Sequence, residues 1–320
     1  MFDSDIGEAA EYVECFVAFL DILGMSKLVE PTKDAPERVE QIADTLRLIA
    51  QLRSTPVTWR RTNVESGEVT KRTWGTQIRT FSDNIAIFVP VASGRLNDLL
   101  NLSIFFHDSL LSKGFPVRGA ITVGKMYWDP RWIQSTEATT SSIPRITFGP
   151  GLVEAYELET KVAVYPRIIA SPSLVSLLQT NPDEKLDIQC YDPSVITLSM
   201  AERLFSYNDV FKLLRSDFDG IAHVDVFSVP SRIAFRGMRD EHGRIQKEDI
   251  TIHSISKRDY LHSMRKTISD LQSNAKVHAI RAKLIWLAKY FNQSLDPEDG
   301  IEPIPVNWGE QNLPEQDQVR

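Results

Sequence analysis

Cys15-Phe16-Val17-Ala18-Phe19-Leu20-Asp21-Ile22-Leu23-Gly24 decides how this chain is read: an unbroken apolar run ends on an aspartate, with a glycine just behind it. A short apolar run closed by a turn signal reads as a buried strand. A second stretch has the same plan. Arg79-Thr80-Phe81-Ser82-Asp83-Asn84 leads into Ile85-Ala86-Ile87-Phe88-Val89, so Asp83 is expected in a tight turn between two strands. A buried carboxylate is costly unless it is neutralised, paired or bound to a metal. Two of them at the mouths of two core strands suggest a shared cation. Taken one at a time, Asp21 reads equally well as a helix cap and Asp83 as a turn residue.

Outward from these strands the chain alternates. Asp34-Ala35-Pro36 is a helix entrance, and Val39, Ile42, Ala43, Leu46, Ile49 and Ala50 follow at helical spacing. Thr55 to Phe81 is β-prone and broken at Glu65-Ser66-Gly67-Glu68, which predicts a hairpin; its polar part, 58–74, is expected as a surface insertion or partner contact. Leu96–Leu111 is an apolar helix ended by Gly114. In the strand Pro116–Gly124, Gly119 and Gly124 suggest close backbone approach. A polar loop at 130–147 precedes a helix from Phe148-Gly149-Pro150-Gly151 to Glu159, and Tyr165–Ala170 returns as a strand. This order predicts an α/β (α+β) sandwich with a mixed, largely antiparallel sheet. Paired strands around Asp217-Phe218-Asp219-Gly220 and helices from Ser256 to Asn292 follow. We therefore expect a domain at 10–180, an extension at 181–294 packed on it, and a poorly ordered tail at 295–320.

Composition narrows the function. With 42% hydrophobic and 25% charged residues, the 320-residue chain has an ordinary globular profile. Its net charge of −7 argues against a broadly basic surface for polymeric nucleic acid. The two cysteines, Cys15 and Cys190, fit neither zinc nor redox spacing. No run of 18 apolar residues occurs and the first residues are acidic, so the expectation is a cytoplasmic protein without membrane insertion.

Strand parity places Asp21, Phe19, Val17 and Cys15 on one face, and Asp83, Phe81 and Arg79 on another. Neighbouring strands would bring Asp21 and Asp83 together, with Arg79 about 13 Å down its strand at ~3.3 Å per residue. A nucleotide would then reach from a cation towards Arg79, with the backbone amides of Leu23, Gly24 and Met25 near its triphosphate. Arg118 and Arg167 are either phosphate ligands or structural ion pairs. Phe19 and Phe81 either stack on a base or fill the core, and Cys15 shares the Asp21 face. His107 and His223 read as structural.

These motifs, taken together and in order, resemble the class III nucleotidyl cyclases. Phe19-Leu20-Asp21-Ile22-Leu23-Gly24-Met25-Ser26 is similar to the family's first metal motif, Asp-Ile-x-Gly-Phe-Thr. Arg79-Thr80-Phe81-Ser82-Asp83 is similar to the second, Lys-Thr-x-Gly-Asp. Arg118–Gly124 resembles Arg-x-Gly-Ile-x-x-Gly, and Phe148–Glu159 resembles the helix Gly-x-x-Val-Asn-x-Ala-x-Arg-Leu-Glu. The departures matter: the transition-state Asn and Arg fall on Val153 and Glu157, and the adenine-reading Lys on Arg79. The variant motifs resemble the bacterial pyrimidine cyclases of the Pycsar anti-phage system. That resemblance implies two Mn²⁺ or Mg²⁺ ions on Asp21, Asp83 and the backbone carbonyl of Ile22. It also implies UTP turned over to 3′,5′-cyclic UMP, a homodimer, and a separate effector that responds to the product. CTP, or nucleotide binding without turnover, are the alternatives. Arg79 can only donate, which suits O4 of uracil or O2 of either base and so tilts the choice towards UTP.

Overall fold

The structure, a computed structural model, describes residues 11–25, 56–62, 69–91, 96–128, 146–180, 214–227 and 257–306, with isolated positions between 29 and 43. The chain divides into two compact units, Met1–Ile255 and Ser256–Arg320. In the first lie β1 (Glu11–Ile22), β2 (Pro56–Thr62), β3 (Val69–Gly75), β4 (Gln77–Phe81) and β5 (Asn84–Pro90). They are followed by α1 (Leu96–Leu111), β6 (Val117–Trp128), α2 (Pro150–Lys161), β7 (Ile168–Ala170), α3 (Pro172–Thr180), β8 (Leu214–Ser216) and β9 (Ala222–Val224). The predicted helix at 34–50 and loop at 130–147 lie almost wholly outside the described residues.

Seven strands form one sheet in the order β4-β5-β1-β6-β7-β9-β8. Only the β6–β7 neighbours run parallel; the other pairs are antiparallel. The expected α+β class with a mixed, largely antiparallel sheet is therefore correct. β1 is central and longer than its apolar run, because its ladder with β6 continues past Cys15 to Glu11, whereas its ladder with β5 stops at Cys15. Cys15 to Leu20 are buried on both faces, as an apolar run without alternation requires. The predicted hairpin appears as a separate two-stranded sheet of β2 and β3.

The face carrying Cys15, Val17 and Phe19 joins Ala86 and Phe88 of β5, Met126 of β6 and Ala155 of α2 in one core cluster. Helix α2 lies close against β1 and β6 for a local reason. A Cβ on Gly124 would stand 2.7 Å from the Gly151 Cα, so only two facing glycines permit this approach. The buried stripe of α2 is Gly151, Ala155 and Glu159, spaced by four residues. Two small residues let the helix settle, and the third carries a carboxylate under it. α1 packs on β1, β5 and β6, and α3 packs on β6.

Residues 214–227 do not stand apart from the domain expected at 10–180; β9 pairs with β7 and extends the same sheet. The second unit holds α4 (Lys257–Asn274) packed on α5 (His278–Gln293). Of the tail expected to be poorly ordered, residues 295–306 hold defined contacts within this unit. Asn292 donates to Ile304 O at 2.9 Å and accepts from Ile304 N at 2.7 Å, and Asp296 caps a 3₁₀ turn at Pro297–Asp299. Residues 307–320 lie outside the described residues.

Candidate functional site

Asp21 is the penultimate residue of β1, opposite Asn84 of β5 and Arg118 of β6. Asp83 occupies the two-residue turn between β4 and β5, next to that row. The Ile22 N–H donates to the Asp83 carbonyl at 3.3 Å, which ties the turn to the end of β1. The Asp83 turn therefore lies against the end of β1 that carries Asp21. Asn84 Nδ2 steadies the Asp83 carboxylate at 3.3 Å. Ser82 makes the turn with φ 59°, a left-handed conformation that costs a residue with a Cβ.

Arg118 brings a positive charge into the row. Its Nε donates to Asp21 Oδ2 at 3.1 Å and lies 2.6 Å from Glu159 Oε1. The N–H is aimed at Asp21. Glu159 Oε1 sits off that direction and, though buried, accepts no hydrogen bond. Glu159 is only 2% exposed, and Thr160 donates to its other oxygen at 3.0 Å. Burial pushes the Glu159 carboxyl above its usual range; the Arg118 charge and the Thr160 hydroxyl oppose this, and the charge and close side-chain contact of Asp21 add to it. In the sequence Glu159 closes a motif that by itself assigns it no role. Its signal was there: a carboxylate on the buried i, i+4, i+8 stripe behind Gly151 and Ala155.

Other expected site residues are scattered or already engaged. The Leu23 N–H, expected near the triphosphate, donates instead to Pro116 O at 2.8 Å, because β1 and β6 stay paired to this point. Gly24 follows with φ 79°, and Met25 is buried. Arg79 is level with Ala86 and Phe19, roughly 12 Å from Asp21 at the usual residue rise and strand spacing. Its guanidinium donates to Ile78 O at 2.9 Å and Gln77 Oε1 at 2.7 Å. Phe19 is in the core, edge-on to Tyr156 at 5.5 Å, whereas Phe81 is exposed. Cys15 shares the Asp21 face but lies six residues away, roughly 20 Å along the strand. Burial, then Glu14, raises its thiol pKa well above the usual value, so it stays protonated.

Arg167 is 1% exposed and makes ion pairs with Asp217 and Asp219 from the β8–β9 turn. Of the two roles the sequence left open for it, this is the geometry of the structural one. Burial alone would raise the Asp219 carboxyl, yet the Arg167 hydrogen bonds and charge and the Ile221 amide hold it below its ordinary value.

At the Asp21 end the donors are oxygen atoms alone, a set that suits a hard divalent cation such as Mg²⁺ or Mn²⁺. Two carboxylates leave room for substrate oxygens, which is how Mg²⁺ is commonly held. Among the described residues no group of three or more His, Cys, Asp or Glu forms a closed metal cage. Nor, among them, is any helix long and apolar enough to cross a membrane. No family model, curated protein or solved structure matches this chain, so the reading of its chemistry rests on the side chains themselves.

Proposed function

We propose that this chain is a pyrimidine nucleotide cyclase that converts UTP to 3′,5′-cyclic UMP and pyrophosphate. What supports this reading is the Ile22–Asp83 backbone bond at 3.3 Å, which sets the Asp83 turn against the end of β1 that carries Asp21. In the reaction the ribose 3′-oxygen bonds to the α-phosphorus, the bond from that phosphorus to pyrophosphate breaks, and the hydroxyl proton passes to solvent. Mn²⁺ or Mg²⁺ on the Asp21 and Asp83 carboxylates and the Ile22 carbonyl would acidify the 3′-hydroxyl and screen the triphosphate. The chain's own residues set the stage. Asp21 and Asp83 concentrate negative charge at one sheet end, and Arg118, with 21% of its side chain exposed, supplies a planar guanidinium there for phosphate oxygens. Arg79, oriented by Gln77, offers donors suited to uracil O4.

The same reading includes a cytoplasmic homodimer whose product signals to an anti-phage effector. CTP as substrate, giving cyclic CMP, belongs to it as a variant. A second reading, nucleotide binding without turnover, is favoured by one observation. Val153, where the resembled family has its transition-state Asn, is an exposed apolar residue on α2.

The test is product analysis of the purified chain with Mn²⁺ and each of the four NTPs, beside Asp21→Ala and Asp83→Ala. We expect one cyclic pyrimidine product, reduced roughly a hundredfold or more in either variant. Nucleotide binding with no product from any NTP would refute turnover and leave the second reading.

A further inference from the structure

The geometry points to Glu159 as a positioning residue that takes Arg118 over from Asp21 when a divalent cation binds, an inference that rests on the cation site of the proposed function. Arg118 Nε donates to Asp21 Oδ2 at 3.1 Å, so the guanidinium holds an oxygen the cation needs. Glu159 Oε1 waits 2.6 Å from the same nitrogen, buried and without a hydrogen bond of its own. A small turn of the guanidinium redirects the N–H from one carboxylate to the other. The exchange leaves Asp21 open to the cation, and Arg118 never loses a charged partner. Without Glu159, releasing Asp21 would strand a half-buried guanidinium, which is the costly way to open the site. Glu159 reaches this position because Gly151 and Ala155 let the stripe of α2 lie close against the sheet.

The test is a cycle of Mn²⁺ affinities, read on the full chain from the electron paramagnetic resonance signal of free Mn²⁺, with no nucleotide present. Glu159→Gln leaves Arg118 with Asp21 as its single charged partner and should weaken Mn²⁺ about tenfold, the order of the difference between hydrogen bonds to charged and to neutral groups. Arg118→Gln removes the competitor and should tighten Mn²⁺. In the Arg118→Gln background, Glu159→Gln should change the affinity less than about threefold, because the exchange no longer exists. An equal loss in both backgrounds would make Glu159 a direct ligand and overturn the exchange. No effect in either background would overturn it too. The double variant pairs two neutral amides and controls for folding; Arg118→Lys replaces Arg118→Gln if the latter does not fold.

The two readings fail separately. Turnover that needs Asp21, together with additive affinities, removes the exchange and leaves the cyclase. The expected coupling without turnover supports the exchange and removes the cyclase. Mn²⁺ affinity indifferent to Asp21→Asn overturns the exchange outright.

Discussion

Replacing Arg167 with Ala separates a structural arginine from a phosphate ligand. The side chain is 1% exposed and makes three charge-assisted hydrogen bonds: one to Asp217 and two, in a fork, to Asp219. Truncating one partner of a buried pair costs about 3–5 kcal/mol, chiefly because the other charges are left behind. Asp217 and Asp219 keep 14% and 27% of their side chains exposed, so water re-enters and the lower figure, ~3 kcal/mol, applies. For a unit of this size that corresponds to roughly 6–12 °C in melting temperature. Differential scanning calorimetry at pH 7 measures it directly. The sign with pH is fixed as well. Asp219 has a folded pKa below its unfolded value, so its contribution is present above the ordinary carboxylate pKa and is lost as pH falls through the lowered one. The gap between native chain and Arg167→Ala should therefore narrow in acid. Arg167→Lys, which keeps the charge without the fork, should fall between the two. An unchanged melting temperature with nucleotide affinity lost would refute the reasoning and return Arg167 to the substrate.

Three other predictions test how the site is built. Gly124→Ala drives a Cβ to 2.7 Å from the Gly151 Cα, so α2 must lift; a loss of about 1–3 kcal/mol in urea melts is expected, together with weaker Mn²⁺ binding as Glu159 is withdrawn. Ser82→Gly relieves the φ of 59° in the β4–β5 turn and should stabilise the chain by about 0.5–1 kcal/mol, the reverse sign marking a side-chain bond worth more than the strain. Burial, aided by the Arg167 charge, depresses the His223 pKa below its usual value, so stability is full above about pH 6.5 and is lost as pH falls through the folded pKa. His223→Gln should flatten the slope of melting temperature between about pH 7 and about pH 5.5, which bracket the free imidazole pKa of about 6.5, and parallel slopes would overturn this.

Much of the fold could be read along the chain because its signals are local. The apolar run from Cys15 to Leu20 has no alternation, which is what a strand covered on both faces shows. Phe81-Ser82-Asp83-Asn84 looked like a turn because polar residues interrupt two β-prone runs, and it is one. Gly124 suggested close backbone approach, and it faces Gly151. Asp21 and Asp83 were legible as a pair because each closes a β-prone run, but only Asp21 ends a core strand; β4, which leads into Asp83, is the half-exposed edge strand of the sheet.

What touches those aspartates was not legible, because it depends on register across strands far apart in sequence. Arg118 lies opposite Asp21 only in the observed β1–β6 alignment; a slip of one residue would turn its side chain to the other face. Arg79 is offset from Asp21 by two strands as well as along its own, a lateral displacement that a single-strand estimate leaves out. The aspartates that claim Arg167 are 50 and 52 positions further on, and no local pattern links them. By itself, then, the sequence determined an α+β chain with two aspartates at strand ends, since period and turn chemistry act over a few residues. Only the tertiary structure decided that Arg118 stands between Asp21 and Glu159 while Arg167 is locked elsewhere, since sheet register and helix docking are settled by the whole core at once.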